Sequence, residues 1–430
     1  MHTFSPLSLG EKLRYIRNAK ELSQENIAHD VGTTKQQISR IENGQVECSP
    51  KMLVAIKQAL GIEQAPLLKH ELEIYRNRLL TWIDATNANR MHEARNMRDT
   101  LSPLLDLPFE QELYMMYLMI ETPLLFSDFD IATAEKNLKT VEESLADAGD
   151  IVQCLYYRNM GFYLYQQFDY KNALKYMLKA IDKDIEGLSH NSLHLLQIGT
   201  CYYDIGKPLQ AITYNERAKD LIDRDRANPA RAYVNGELAL CHLAIGMKTK
   251  AKELIDTAIA QMESIDCSQE TKVKILLTAG YVNANIDDAL EGLKTTERAM
   301  ELVRDDSPFS QHMRPYTLMT KAYCLLAMKS YTECQGTIDQ AKKLLTHDET
   351  AMISLEAMQH CMTLKDTTST DYIENIAIPH FVSVGLVYDA LKYCDILETH
   401  YTKTSATRKA MRVVNMARDI YKDVIFGEDI

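Results

Sequence analysis

Small residues recur at fixed spacing along most of the chain. From about residue 150, a small residue is followed twelve positions later by another, and seven later again by alanine. The sets are Gly161, Ala173 and Ala180; Gly199, Ala211 and Ala218; Ala239, Ala251 and Ala258. Looser sets follow at Gly280, Gly292, Ala299 and at Ala322, Cys334, Ala341, with the period drifting through 38, 40, 41 and 42 residues. Small residues let two antiparallel helices approach, and bulky residues between them fill the gaps. One such pair cannot bury its own face, so pairs must stack. Gly206 and Gly246 fall at matching turns. Weaker units precede these, with Trp82 opposite Ala94 and Thr122 opposite Ala134. After Ala341 the register breaks. Residues 350–364 read as helix, 365–371 as a polar linker, Ile376–Val387 as helix broken at Pro379, and 390–425 as further helices. No stretch shows strand alternation, so the expected class is all-α.

The N-terminal pattern is different. Ile27, Ala28 and Val31 form one apolar stripe, and Ile38 and Ile41 form another. Ser23 is a good N-cap, with Asn26 at the capping-box position. Gly32 allows the left-handed turn that ends a helix, and Thr33 or Thr34 caps the next one. The result is a short helix, a tight turn and a second short helix. Lys35, Gln36, Gln37 and Arg40 are left pointing outward from the second. Glutamine and arginine at an exposed helix N-terminus suit bidentate contacts to base edges in a major groove.

Residues 7–64 resemble the helix-turn-helix domain of the phage Cro and repressor family. The resemblance rests on Leu-Ser-Gln at 22–24, Val-Gly-Thr-Thr at 31–34 and Ile-Ser-Arg-Ile-Glu-Asn-Gly at 38–44. It implies that Gln24 touches the DNA backbone or an outer base. It further implies that Lys35, Gln36 and Gln37 face the bases and that Asn43 approaches phosphate. Thr34, Ser39 and Arg40 complete the expected DNA-facing set. Arg17 and Glu42 match a pair in that family, read here as a buried structural ion pair.

Bulk properties narrow the field. At 430 residues the chain is too long for one compact core. The expected division is 1–64 (DNA module), 65–150 (divergent helices), 151–345 (repeats) and 346–430 (C-terminal helices). No apolar run is long enough to span a membrane, and Met-His-Thr-Phe-Ser-Pro lacks the makings of a signal peptide. The nine cysteines are scattered, which reads as reduced thiols in cytoplasm. Residues 1–64 carry a net charge of +1 and the remainder −13. An acidic body and a barely basic module make non-specific DNA affinity weak, so tight binding needs a dimer on two half-sites.

The repeats resemble tetratricopeptide units with extended periods. The run Pro379-His380-Phe381 through Leu386–Tyr393, together with the arrangement as a whole, resembles the peptide-sensing regulators of Gram-positive bacteria, the PlcR, NprR, PrgX, Rgg and Rap proteins. The resemblance implies a right-handed superhelix whose concave face binds a short signalling peptide, which switches a homodimer on its double-stranded operator. In a tetratricopeptide unit the first helix lines the groove. Counting −3, −2, +1 and +4 from the small residue gives Arg158, Asn159, Phe162 and Tyr165; then Gln197, Thr200 and Tyr203; then Gly236 and Glu237; then Tyr281. Asparagine and glutamine there suit a peptide backbone, because each donates and accepts. The resemblance marks Asn159 as a backbone clamp. For the tyrosines, packing between repeats is the alternative.

No catalytic motif is present, and neither an enzyme nor a cofactor is expected. His29 reads as a surface residue. His190 and His194 have metal-ligand spacing without a third ligand, so no metal is expected. A competing reading is a scaffold binding a protein such as a response regulator, through a bundle in 70–150 that includes Trp82 and the run Glu112–Tyr117.

Overall fold

The computed structural model describes residues 8–62, 69–87, 90–106, 110–167, 169–183, 191–223, 230–345 and 348–426. Among them no strand occurs. The first seven residues and His190 lie outside the described set. The chain divides into two compact units, Met1–Asn159 and Met160–Ile430.

The first unit begins with α1 (Leu9–Ala19), α2 (Gln24–Val31), α3 (Lys35–Glu42) and α4 (Pro50–Ala59). Ser8, Ser23, Thr34 and Ser49 each cap one of these helices, and the side chains of Ser8 and Ser23 form complete capping boxes. Leu13, Ile16, Ile27, Ala28, Ile38, Ile41, Ile56 and Leu60 close one apolar core. Gly10 of α1 lies against the backbone of Ile41 and Glu42, and any Cβ there would collide with it.

Next come α5 (Lys69–Asn87), α6 (Met91–Leu101), α7 (Gln111–Ser127), α8 (Ile131–Glu142) and α9 (Asp150–Gln166); the boundary between the units falls within α9. Trp82 and Ala94 are fully buried, as are Thr122 and Ala134. Trp82 meets Tyr117 edge to face at 5.1 Å between centroids. Trp82, Met115, Met116 and Tyr117 are therefore core, and offer no surface to a response regulator.

The second unit continues with α10 (Tyr170–Asp182), α11 (Ser192–Asp204), α12 (Pro208–Ile222), α13 (Ala230–Ala244), α14 (Lys248–Ser264), α15 (Gln269–Asn285), α16 (Ala289–Leu302), α17 (Pro308–Ala327) and α18 (Tyr331–Leu344). The small residues sit where helices of a pair touch. Gly161 abuts Ala173 and Met177, and Gly199 abuts Asn215. Gly280 and Gly292 face each other's backbone.

The C-terminal region departs from expectation. After α19 (Glu349–Met362), residues 367–383 are helical throughout: α20 (Thr367–Tyr372), a π segment at Ile373–Ala377 and α21 (Ile378–Ser383). The expected linker at 365–371 is thus mostly helix, and Pro379 does not break it. Pro379 stands in the first turn of α21, and the break comes at Gly385, whose φ is +85°. Two further helices follow, α22 (Val387–Lys403) and α23 (Thr407–Phe426). As expected, the repeat register breaks after Ala341. The spacing recurs as Ala357, Ser369, Ala377 and as Cys394, Ala406, Val413, but Ser369 is the third residue of α20 and Ala406 precedes α23, whereas the second small residue of each earlier unit is the fourth residue of its helix. The second step of the Ala357 set is eight rather than seven, because a π turn accommodates one extra residue. Ile376, which strict counting selects, is 48% exposed.

Candidate functional site

The DNA-facing residues are built on α2 and α3. Gly32 takes a left-handed φ of +72°, which ends α2 and reverses the chain. Arg17 reaches across from α1 and holds Glu42 at both oxygens, Nε to Oε1 at 2.7 Å and Nη2 to Oε2 at 2.9 Å. Its Nη1 donates to the Leu22 carbonyl at 2.8 Å. Gln24 Nε2 donates to Glu42 Oε2 at 2.8 Å, so its side chain is oriented by the same buried carboxylate. The pair acts as a brace that fixes α1, the start of α2 and the end of α3 together.

On that brace, Thr34, Lys35, Gln36 and Arg40 are exposed, and Gln37 and Ser39 are half-buried. Lys35 pairs only loosely with Glu25, at 3.6 Å. Asn43 is exposed at the end of α3, where Arg14 Nη1 donates to its Oδ1 at 3.2 Å. Sequence reasoning missed Arg14. Its place beside Asn43 supplies a cation next to the expected phosphate contact. His29 is solvent-facing, with its side chain 89% exposed.

The module is tied to the helices that follow it. Lys12 of α1 donates to both carboxylate oxygens of Glu110, just before α7, at 2.9 and 2.8 Å. Both side chains are almost wholly buried.

Four of the expected groove residues are buried: Arg158, Asn159, Gly236 and Glu237. Asn159 is 2% exposed, and its amide donates to the Met119 carbonyl of α7 at 2.6 Å. Arg158 is buried and donates to Asn87 of α5 at 2.9 Å. Burial lowers its pKa from the ordinary guanidinium value. The structure thus corrects the backbone-clamp expectation for Asn159, which bonds a neighbouring helix instead. His194 is likewise buried, with Nε2 3.0 Å from the Met177 carbonyl. Among the described residues no cluster of three His, Cys, Asp or Glu is arranged to hold a metal.

The remaining expected residues, together with Glu237, line a connected polar surface in the second unit. Tyr165 donates to Asp204 Oδ2 at 2.8 Å, and its ring stacks at 6.4 Å on Phe162 and lies 5.3 Å from Tyr170. Thr200 donates to Glu237 Oε2 at 3.0 Å. Gln197 and Tyr203 are half-buried beside them on α11, and Gly236 is buried on α13. Burial raises the Asp204 acid to about 7, with Glu237 and Asp389 adding to it against the hydrogen bond from Tyr165. Burial also raises Glu237, opposed by its hydrogen bonds from Thr200 and Tyr233.

Tyr281 faces the same surface, and here the C-terminal repeat folds back. The hydroxyls of Tyr281 and Tyr323 both point to Asp389 Oδ1, at 3.4 and 3.3 Å. Lys392 Nζ donates to Asn285 Oδ1 at 2.9 Å and lies 3.8 Å above the Tyr323 ring. Sequence reasoning missed Asp204, Tyr233, Asn285, Tyr323, Asp389 and Lys392. Asp204 and Asn285 each fall five residues after the small residue of their unit, so extending the count by one position finds both.

Comparison with known proteins agrees with this architecture. A helix-turn-helix family model matches residues 13–63. The transcriptional activator NprA of Geobacillus stearothermophilus is 22% identical over 407 residues, spanning 90% of this chain and 97% of that protein. A Rap protein complexed with competence and sporulation factor superimposes with a TM-score of 0.69 at 14% identity, over 83% of this chain and 99% of that one. NprR in complex with its cognate peptide NprX gives 0.63 at 16% identity, over 81% and 99%. The chain thus joins a helix-turn-helix module to a helical-repeat fold like that of the Rap and NprR structures. Among the described residues no helix is long and apolar enough to cross a membrane.

Proposed function

We propose that this chain is a cytoplasmic transcriptional regulator of the peptide-sensing type, in which the helix-turn-helix binds operator DNA and the repeats bind a short signalling peptide that switches that binding. The observation that carries the DNA half is the exposed row Lys35, Gln36 and Arg40, with Gln37 beside it, on a helix braced by the Arg17–Glu42 pair. The brace spares the recognition helix any backbone ordering on binding, and only its exposed side chains lose rotamer freedom. Arg14 and Asn43 provide the adjoining phosphate contact. The peptide half is supported by the NprR and Rap likenesses in fold and by the polar, tyrosine-rich surface around Asp204, Glu237 and Tyr281. The regulator needs no catalysis and no cofactor.

Gel-shift titration at fixed salt on the selected operator tests the DNA half. Gln36→Ala and Gln37→Ala should each cost about 1–3 kcal/mol there and relax sequence preference, while Asn43→Ala weakens all sequences alike. Unchanged affinity in both glutamine variants would remove the assignment. One recognition helix on a module of net charge +1 has little non-specific affinity to draw on. The regulator therefore acts as a homodimer on a two-fold operator. Light scattering giving a monomer of 49.1 kDa with and without operator would refute that.

A further inference from the structure

Two residues of the C-terminal repeat, Asp389 and Lys392, reach helices some 66 to 108 positions earlier in the chain. Gly385, in a left-handed conformation, comes close to the Asp204 carbonyl, and Val387 packs on Gly206 at the turn between α11 and α12. This anchors the start of α22 against the inner surface. One turn on, Asp389 meets the hydroxyls of Tyr281 and Tyr323, and Lys392 lies over the Tyr323 ring. The two tyrosines occupy equivalent positions of adjacent repeats, each directly after the small residue. Their ring centroids are 5.2 Å apart. Two phenols converging on one oxygen make a donor pair matched to a carboxylate.

The fit of Asp389 is loose. Hydroxyl-to-carboxylate bonds settle at about 2.5–2.7 Å, whereas these are 3.4 and 3.3 Å. A carboxylate free to approach the pair would bond it more closely. We propose that Tyr281 and Tyr323 form a carboxylate-binding subsite of the peptide groove, occupied in this structure by Asp389 and taken over by the C-terminal carboxylate of the peptide. The inference rests on the peptide reading above and specifies one end of the ligand. Every short linear peptide carries that group, and the phenol pair fixes its direction in the groove. Asp389 then acts as an internal competitor whose release frees the start of α22. Burial raises the acid of Asp389 and lowers Lys392 to about 8, consistent with charges held in a partly dry site.

The test uses immobilised full-length chain and two pools of randomised hexapeptides, with Asp and Glu left out of both. One pool ends in a free carboxylate and the other in an amide. Peptide retained at fixed total concentration is counted by mass spectrometry. The native chain should retain the acid pool at least tenfold over the amide pool. Asp389→Ala should raise acid retention at least threefold, which a merely structural role would not do. The Tyr281→Phe/Tyr323→Phe double variant should lose the acid preference while keeping amide retention, and its melting curve checks that it folds. Retention of both pools without discrimination, or lower acid retention in Asp389→Ala, overturns the subsite and leaves the peptide reading standing. Retention of neither pool by any of the proteins overturns the peptide reading and the subsite with it.

Discussion

Replacing Glu110 by Gln should destabilise the first unit severely, and removing Lys12 as well should restore most of the loss. The pair has side chains 6% and 4% exposed, and the ammonium donates to both carboxylate oxygens. Glu110→Gln keeps the shape and removes the charge, leaving a buried ammonium without its counter-ion. Breaking one partner of such a pair costs about 3–5 kcal/mol, whereas replacing both by apolar groups of similar volume is often neutral or stabilising. For a unit of this size each kcal/mol lowers the midpoint by about 2–4 °C. The single variant should therefore melt ~6–20 °C lower, and Lys12→Met/Glu110→Leu should return to within a few degrees of the native value. The chain supplies its own probe, since Trp82 is the single tryptophan and is fully buried against Tyr117 in this unit. Fluorescence excited at 295 nm follows the first unit even if the rest unfolds separately. The consequence for function is direct. This pair joins the DNA module to the helices behind it, so the double variant should keep operator affinity while weakening its response to ligand. Equal destabilisation in the single and double variants would refute the reasoning, because removing the stranded ammonium would then relieve nothing.

Asn159→Ala removes the donor to the buried Met119 carbonyl and should cost about 1–3 kcal/mol by the same Trp82 signal; a variant with native stability would mean that the bond is not formed. The pH dependence of the second unit should carry the signature of Asp204, whose folded pKa of about 7 lies above the ~3.9 of an unfolded aspartate. Both states are protonated at low pH, so the group costs nothing there, and its cost grows as pH rises from about 4 to about 7. Asp204→Asn should thus raise the melting temperature at pH 8 and have its smallest effect at pH 4, measured by circular dichroism; an effect constant with pH would contradict the assignment.

What the sequence made legible followed from local rules. Ser23, Gly32 and the two apolar stripes lie within about twenty residues, and each acts through neighbours three or four positions away. The structure reproduces them in detail, down to Thr34 rather than Thr33 as the cap. The repeat spacing was legible for the same reason, because close approach of paired helices admits only small residues at defined places. Turns were legible only where they happened to use glycine. Gly206 and Gly246 have φ near +78°, but the equivalent turns use Phe129, Asp287, Lys329 and Ser405 in the same left-handed region. Those residues adopt it at some cost, under the constraint of the helices on either side, and nothing in their chemistry announces it.

The inner surface was legible only in part, because its decisive partners lie far apart in sequence. A face count along one helix finds Tyr165, Thr200, Glu237 and Tyr281, but it cannot tell a groove position from a position under the next repeat. Asn159 obeys the count and is buried, because the preceding pair presents the Met119 carbonyl at that place. Asp389 and Lys392 were missed because the register of small residues breaks after Ala341, leaving no established unit to count from there. The π segment places Ala377 in one core with α22 and α23, so helix packing continues to the end of the described chain. The same continuation puts the start of α22 on Tyr281, Tyr323 and Asn285. A local insertion in the C-terminal helices thus bears on what the groove can accept. Regulators sharing this fold can therefore differ in ligand through residues that never line the first helices at all.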